Sequence, residues 1–193
     1  MIDYLYSKFH TYPNVGVACL YADYKDQTNQ TLVYILGTFL RQLLTTVQEP
    51  IPDKVLQRLY DIRCQGGKVG IEDNLALLKM WLHRLKGAFI CIDAIDELEP
   101  KVRWNLLNIL RDLVTNNNNV RLFLTGRGHV ESEVQKCFKV TQMHKVIITA
   151  SQQDIQEFVR QQIKEDQDLN PDAMDEGLAK DIVDVICKKS HGM

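Results

Sequence analysis

Residues 89–97 read Phe-Ile-Cys-Ile-Asp-Ala-Ile-Asp-Glu, four apolar residues running straight into three carboxylates within five positions. A continuous apolar run bounded by polar residues marks a strand buried on both faces, as in a parallel sheet covered by helices. Open α/β sheets place their ligands just beyond the carboxyl ends of such strands. Asp93, Asp96 and Glu97 therefore belong at the edge of a ligand site. Carboxylates this close repel one another unless solvent, a cation or a proton intervenes, and hard cations such as magnesium take oxygen ligands. The competing reading is a helix N-terminus, where acidic residues favour the dipole and cap free N–H groups. It accounts for Asp96 and Glu97, but less well for an Asp that ends the apolar run itself.

The rest of the chain alternates in kind. Ile2, Leu5, Tyr6 and Phe9 recur at helical spacing until Pro13-Asn14 breaks the pattern, and 15–22 reads as a buried strand. Thr28 or Asn29 is placed to cap a long helix carrying Leu32, Ile35, Leu36, Phe39, Leu40, Leu43 and Leu44. Helical stripes follow at Val55, Leu56, Leu59 and Ile62 and, after glycines 66, 67 and 70, at Leu75, Leu78, Leu82 and Leu85. Beyond the acidic turn, Pro100 sits near the start of a helix with Trp104, Leu107, Leu110 and Val114. A strand at 120–125, a short helix near 130–137 and a last strand at 146–149 complete a core over 1–150. Strands separated by helices predict a parallel sheet. From Ser151 the pattern is helical only, with stripes at Ile155, Phe158, Val159 and Ile163 and, after Pro171, at Met174, Leu178, Ile182 and Ile186. The acidic stretch 165–172 reads as a solvated link, and 151–193 as a small helical appendage.

Composition narrows the partners. A length of 193 residues buries a full core, and 45% hydrophobic with 25% charged residues is the balance of a soluble globular protein. The net charge of -2 gives no electrostatic case for nucleic acid or an anionic membrane. Five scattered cysteines without a C-x-x-C fit a reducing compartment, and Cys19 and Cys91 sit in apolar runs where a thiol acts as a small hydrophobe. No stretch is apolar enough for a bilayer span or a signal peptide, so the cytoplasm is the expected location.

Other chemical motifs are absent. Gly66-Gly67-Lys68-Val69-Gly70 fails the phosphate-binding pattern G-x-x-x-x-G-K-[ST], which would need glycine where Ile62 stands and Ser or Thr where Val69 stands. The five histidines form no metal-ligand pattern. Arg127, two residues beyond the strand ending at Thr125, is placed either to meet a phosphate through charge-assisted hydrogen bonds or simply to face solvent.

Together these pieces resemble a family. Residues 89–98 look like the Walker B segment of NACHT-type STAND P-loop NTPases, and Leu-Phe-Leu-Thr-Gly-Arg at 122–127 looks like their sensor-1 strand. Tyr-Ala-Asp-Tyr-Lys-Asp-Gln-Thr at 21–28, before a Leu-rich helix, resembles the nephrocystin-type branch found in fungal multidomain proteins with ankyrin or other repeats. Segments 154–163 and 189–193 resemble the helical region that follows the core. The resemblance implies a partial three-layer P-loop fold with a mostly parallel sheet, its core at 1–150 and the following helical domain starting at 151–193. It implies Asp93 for the magnesium shell, Asp96 or Glu97 for positioning the attacking water, and Arg127 for sensing the terminal phosphate. Mg2+ with ATP or GTP would be the ligands of the intact family, with protein partners or self-association through regions outside this chain.

The family begins with a strand and a phosphate-binding loop, whereas Met1-Ile2-Asp3-Tyr4 reads as already inside the first helix. The expectation is a core truncated before that helix. The loop would supply a lysine, an N–H cradle and a Ser/Thr ligand to magnesium. Without it, a phosphate oxygen about 5 Å from Asp93 is repelled by roughly 3 kcal/mol at an effective dielectric of about 20. The expected function is thus that of a fragment of a nucleotide-dependent switch, binding no nucleotide by itself. The alternative is a non-catalytic α/β interaction module or a degenerate paralogue.

Overall fold

The computed structural model describes residues 2–9, 12, 14–46, 51, 53–64, 67–138, 143–149, 151–170 and 174–190. Pro13, Gly66, Pro171 and 191–193 lie outside them. The chain forms two compact units, Met1–Met143 and His144–Met193.

In the first unit, β1 (Val15–Tyr21), β2 (Gly87–Asp93) and β3 (Val120–Leu124) form a parallel sheet in the order β1-β2-β3. This is the expected α/β arrangement, with the acidic strand in the middle. Cys19 stands beside Cys91 and Tyr21 beside Asp93, so the carboxyl ends of β1 and β2 are level. Side chains alternate across the pleat. Ala18, Leu20, Ala88, Ile90, Ile92 and Val120 take one phase and join a single core with α2 (Leu32–Thr46), α4 (Ile71–Leu82) and α5 (Pro100–Asn116). The opposite phase meets α1 (Ile2–Phe9), where Phe9 stacks on Phe89 at 4.9 Å and the Tyr6 hydroxyl donates to the Val17 carbonyl. Cys91 is fully buried and burial pushes its thiol up to about 11, which leaves it an inert hydrophobe.

The outer edge of β1 is covered by carboxamides. Gln42 on α2 accepts from the Cys19 N–H at 2.6 Å and donates to the Cys19 carbonyl at 2.9 Å. Gln30, ahead of α2, bonds Asp23 N–H and the Tyr21 carbonyl in the same way. Side chains thus satisfy strand-edge groups that would otherwise invite pairing with another chain.

The remaining first-unit helices are α3 (Asp53–Cys64) and α6 (Glu131–Cys137), and the second unit is a pair, α7 (Gln152–Leu169) and α8 (Glu176–Lys189). Among the described residues no helix is long and apolar enough to cross a membrane.

Several expectations are corrected. Thr31, not Thr28 or Asn29, caps α2, its hydroxyl accepting from Tyr34 N–H, because residues 27–29 are used in a turn. Residues 165–169 are helical rather than a link. A capping box between Ser151 and Asp154 starts α7, and Gln161 and Gln162 donate to Glu165, so nothing interrupts the helix before Asn170. The buried stripe of α8 is Ile182, Val183 and Cys187, while Leu178 and Ile186 are exposed; Phe158 on α7 is likewise exposed. A two-helix unit covers only a narrow face, so one phase of each apolar set remains outside. Residues 146–149 form no strand, and Val146, Ile147 and Ile148 are exposed. A β-branched run becomes a strand only when a neighbour takes its backbone groups, and none does so among the described residues.

Candidate functional site

At the carboxyl edge of the sheet three chain segments meet. They are the turn after β1, a one-turn 3-10 helix at Ile95–Glu97 after β2, and the segment 125–130 after β3. Asp93, Asp96, Glu97 and Arg127 all lie at this edge.

Thr125 joins the second and third segments. Its N–H donates to the Ile92 carbonyl, its carbonyl accepts from Ile95 N–H at 2.9 Å, and its hydroxyl accepts from Ala94 N–H at 2.9 Å. The same hydroxyl donates to Asp93 Oδ1 in a short bond. Asp93 is thereby held at the strand end, with Oδ2 carrying no hydrogen bond from a described residue. Ala94 adopts left-handed backbone angles, φ 54° and ψ 47°. A non-glycine residue there costs about 1–2 kcal/mol and persists only where its surroundings enforce it. After the reversal at Ala94, Ile95 is buried in the core, and Asp96 and Glu97 take partners other than that of Asp93.

The three carboxylates consequently do not converge. Among the described residues no three His, Cys, Asp or Glu side chains lie close enough to hold a metal ion. Asp96, nearly buried, faces Arg127: its Oδ1 accepts from the Arg127 N–H at 3.2 Å, and its Oδ2 lies 3.6 Å from the guanidinium. Glu97 Oε2 accepts from Tyr24 N–H at 3.2 Å, and Oε1 is 4.0 Å from Arg127. The mutual repulsion expected from sequence is relieved by an arginine and backbone donors rather than by a cage of ligands. Such an arrangement does not suit calcium, which takes six to eight oxygens. It fits magnesium, which keeps several waters and needs only one or two protein carboxylates beside substrate phosphates. Asp93 is the residue that would hold it.

Arg127 is 77% exposed at its side chain, so its ion pairs are weak and the guanidinium is available to another anion. Gly126, just before it, is tightly surrounded: a Cβ there would stand 3.0 Å from Ile95 Cγ2, 3.2 Å from Val130 Cγ2 and 3.4 Å from Asp96 Oδ1, so its neighbours would have to give by a few tenths of an ångström. The close approach of 125–130 to the acidic turn leaves little space at that glycine. Tyr24, Gln27, Asp96, Glu97, Arg127 and His129 line an open depression of about 420 Å³.

Sequence reasoning missed the residues that support the turn. Arg103, on α5, is buried and bonds Glu133 through two parallel contacts at 2.8 and 3.0 Å. This pairing raises the Arg103 guanidinium further and holds the Glu133 carboxyl below its usual range. Gln27 donates to the Glu97 carbonyl at 2.7 Å. One signal was present: Arg103 falls on the apolar stripe of Leu106, Leu107, Leu110 and Leu113, where a charge demands a partner.

A three-stranded parallel sheet covered by helices, with an acidic turn at its carboxyl edge faced by an arginine that follows the neighbouring strand, defines an α/β protein of the open-sheet type. The family model described as Nephrocystin 3, N-terminal, matches residues 1–127. The chain belongs to that family, and the matched region ends at Arg127. Comparison with curated proteins gives no match.

Proposed function

We propose that this edge is the cation and sensor half of a nucleoside-triphosphate site in a STAND-type switch of the NACHT branch. The observation that carries the reading is that Asp93 is fixed at the end of the central strand by Thr125, while the exposed guanidinium of the arginine two residues beyond Thr125 meets the acidic turn only through loose ion pairs. Bound Mg2+ would neutralise and orient the triphosphate. Asp93 would hold the cation by Oδ2, the oxygen that carries no hydrogen bond from a described residue. Glu97 or Asp96 accepts a proton from, or orients, the attacking water, and Arg127 exchanges its carboxylate partners for the terminal phosphate. Glu97 is the better base, because Asp96 is nearly buried and doubly engaged with Arg127.

Residues 1–193 contain no G-x-x-x-x-G-K-[ST] sequence, so the phosphate cradle is not among them. The chain alone is expected to give no saturable micromolar heat with Mg·ATP or Mg·GTP in isothermal titration. Joined behind a strand and phosphate-binding loop, it should bind one nucleotide. Asp93→Ala then weakens magnesium-dependent binding, whereas Glu97→Gln leaves binding intact and lowers single-turnover hydrolysis about a hundredfold or more, the scale of lost general-base assistance. Binding that ignores Asp93, or hydrolysis untouched by both Glu97→Gln and Asp96→Asn, would overturn the reading in favour of a non-catalytic interaction module.

A further inference from the structure

Asp96, Glu97 and Leu98 offer three successive carbonyls at the acidic turn, and each is taken by a side chain from elsewhere. Arg103 Nη1 donates to the Leu98 carbonyl at 2.9 Å and to the Asp96 carbonyl at 3.3 Å. Gln27 takes the Glu97 carbonyl between them. The other two nitrogens of the Arg103 guanidinium are spent on Glu133 of α6. Arg103 is 6% exposed. The bond to the Leu98 carbonyl is buried, so Arg103 satisfies a backbone group that water does not reach, and the same fork ties that carbonyl to α6. What the arrangement adds is direction.

We propose that Arg103 and Glu133 are the positioning pair of the site, fixing the orientation of the Glu97 carboxylate toward the reacting water and coupling it to α6. The inference rests on the hydrolytic reading above and assigns a role to two residues outside the acidic segment. Arg103 touches no substrate. It acts by holding the carbonyls on either side of Glu97, so that the carboxylate between them has one direction of exit. The planar fork is required, because one guanidinium must reach two carbonyls and two carboxylate oxygens at once, and a lysine ammonium cannot reproduce that geometry. Glu133 keeps the fork in register. Glu133 stands three residues past Val130, where the 3-10 turn ends, so a displacement of α6 would be felt at the turn through this pair.

The test uses the full chain behind the strand and phosphate-binding loop. Arg103→Lys, Glu133→Gln and Gln27→Ala are compared with the parent in nucleotide affinity and in single-turnover rate. Arg103→Lys is expected to lower the rate at least tenfold while affinity changes less than threefold. Glu133→Gln, which keeps an acceptor for the fork but removes its charge, is expected to fall between it and the parent. A merely structural pair would lower both quantities together, or neither once the variant is folded. If the parent binds and hydrolyses and both variants at the pair hydrolyse at its rate, the positioning role is overturned and the site reading stands. If the parent shows no Asp93-dependent binding, the site reading itself fails and this role with it. Should Arg103→Lys not fold, Glu133→Gln, whose side chain is about one-third exposed, decides the matter by the same split.

Discussion

Replacing Thr125 by valine removes one oxygen from the junction between the acidic turn and the neighbouring strand while keeping the side-chain shape. That oxygen accepts from Ala94 N–H and donates to Asp93. A hydrogen bond to a charged group contributes about 1.5–3 kcal/mol and a neutral one about 1 kcal/mol. All three residues are half-buried, so water replaces part of each bond. The expected loss is therefore about 2–3 kcal/mol. For a chain of this length that corresponds to a fall in Tm of about 5–10 °C. Both tryptophans, Trp81 and Trp104, lie in the first unit, so tryptophan fluorescence follows its unfolding and is blind to α7 and α8. Thr125→Ser is the control: it keeps the hydroxyl and loses only a methyl, and should cost about 1 kcal/mol or less. If valine and serine variants unfold at the same denaturant midpoint, the hydroxyl does not organise the turn. The fixed position of Asp93 would then need another cause.

Three further outcomes follow from the same geometry. Ala94→Gly relieves the left-handed strain but adds freedom to the unfolded chain, for a net gain of about 0.5–1 kcal/mol in urea unfolding; a loss instead would mean the reversal at Ala94 is not retained in solution. Gly126→Ala forces a methyl against Ile95 and Val130 and should cost about 1–3 kcal/mol, measured by the same method. Arg103 holds the Glu133 carboxyl below its ordinary value of 4.5, so the pair's contribution is complete above that pH and is lost as pH falls through the lower folded value. The difference in unfolding midpoint between parent and Glu133→Gln should therefore be largest near neutrality and shrink below about pH 4.5; a difference constant down to pH 3 would refute the linkage.

The sheet was legible because its signal is local. A run such as 89–92 is apolar on both phases, which only a doubly covered strand tolerates; the strand at 15–21 repeats the pattern, and that at 120–124 does so apart from the exposed Arg121. The 146–149 run carries the same local signal and forms no strand, since strand formation depends on a partner that composition does not specify. The stripes of α7 and α8 misled for a related reason. Each contains more apolar residues than one helix can cover on another, and the choice of Val183 and Cys187 over Leu178 and Ile186 is made by packing.

The site was legible in its charges and illegible in its supports. Asp93, Asp96, Glu97 and Arg127 announce themselves by standing at the ends of apolar runs, and the fold brings them to one edge. Their orientation comes from elsewhere: a backbone reversal at an alanine, a threonine hydroxyl and a buried arginine on the following helix. Nothing in the stretch 93–97 tells that Asp93 takes different partners from Asp96 and Glu97, because the bonds that hold the left-handed turn at Ala94 come from Thr125, beyond the neighbouring strand. The separation has a chemical consequence. Three convergent carboxylates would form a cage for a cation and leave no base free. On the proposed reading, Asp93 at the strand end would serve a cation while Glu97, lining the depression beside Arg127, would serve the water, so that binding and proton transfer would be divided between them. On that reading the left-handed turn at Ala94 is what would keep the two roles on different residues.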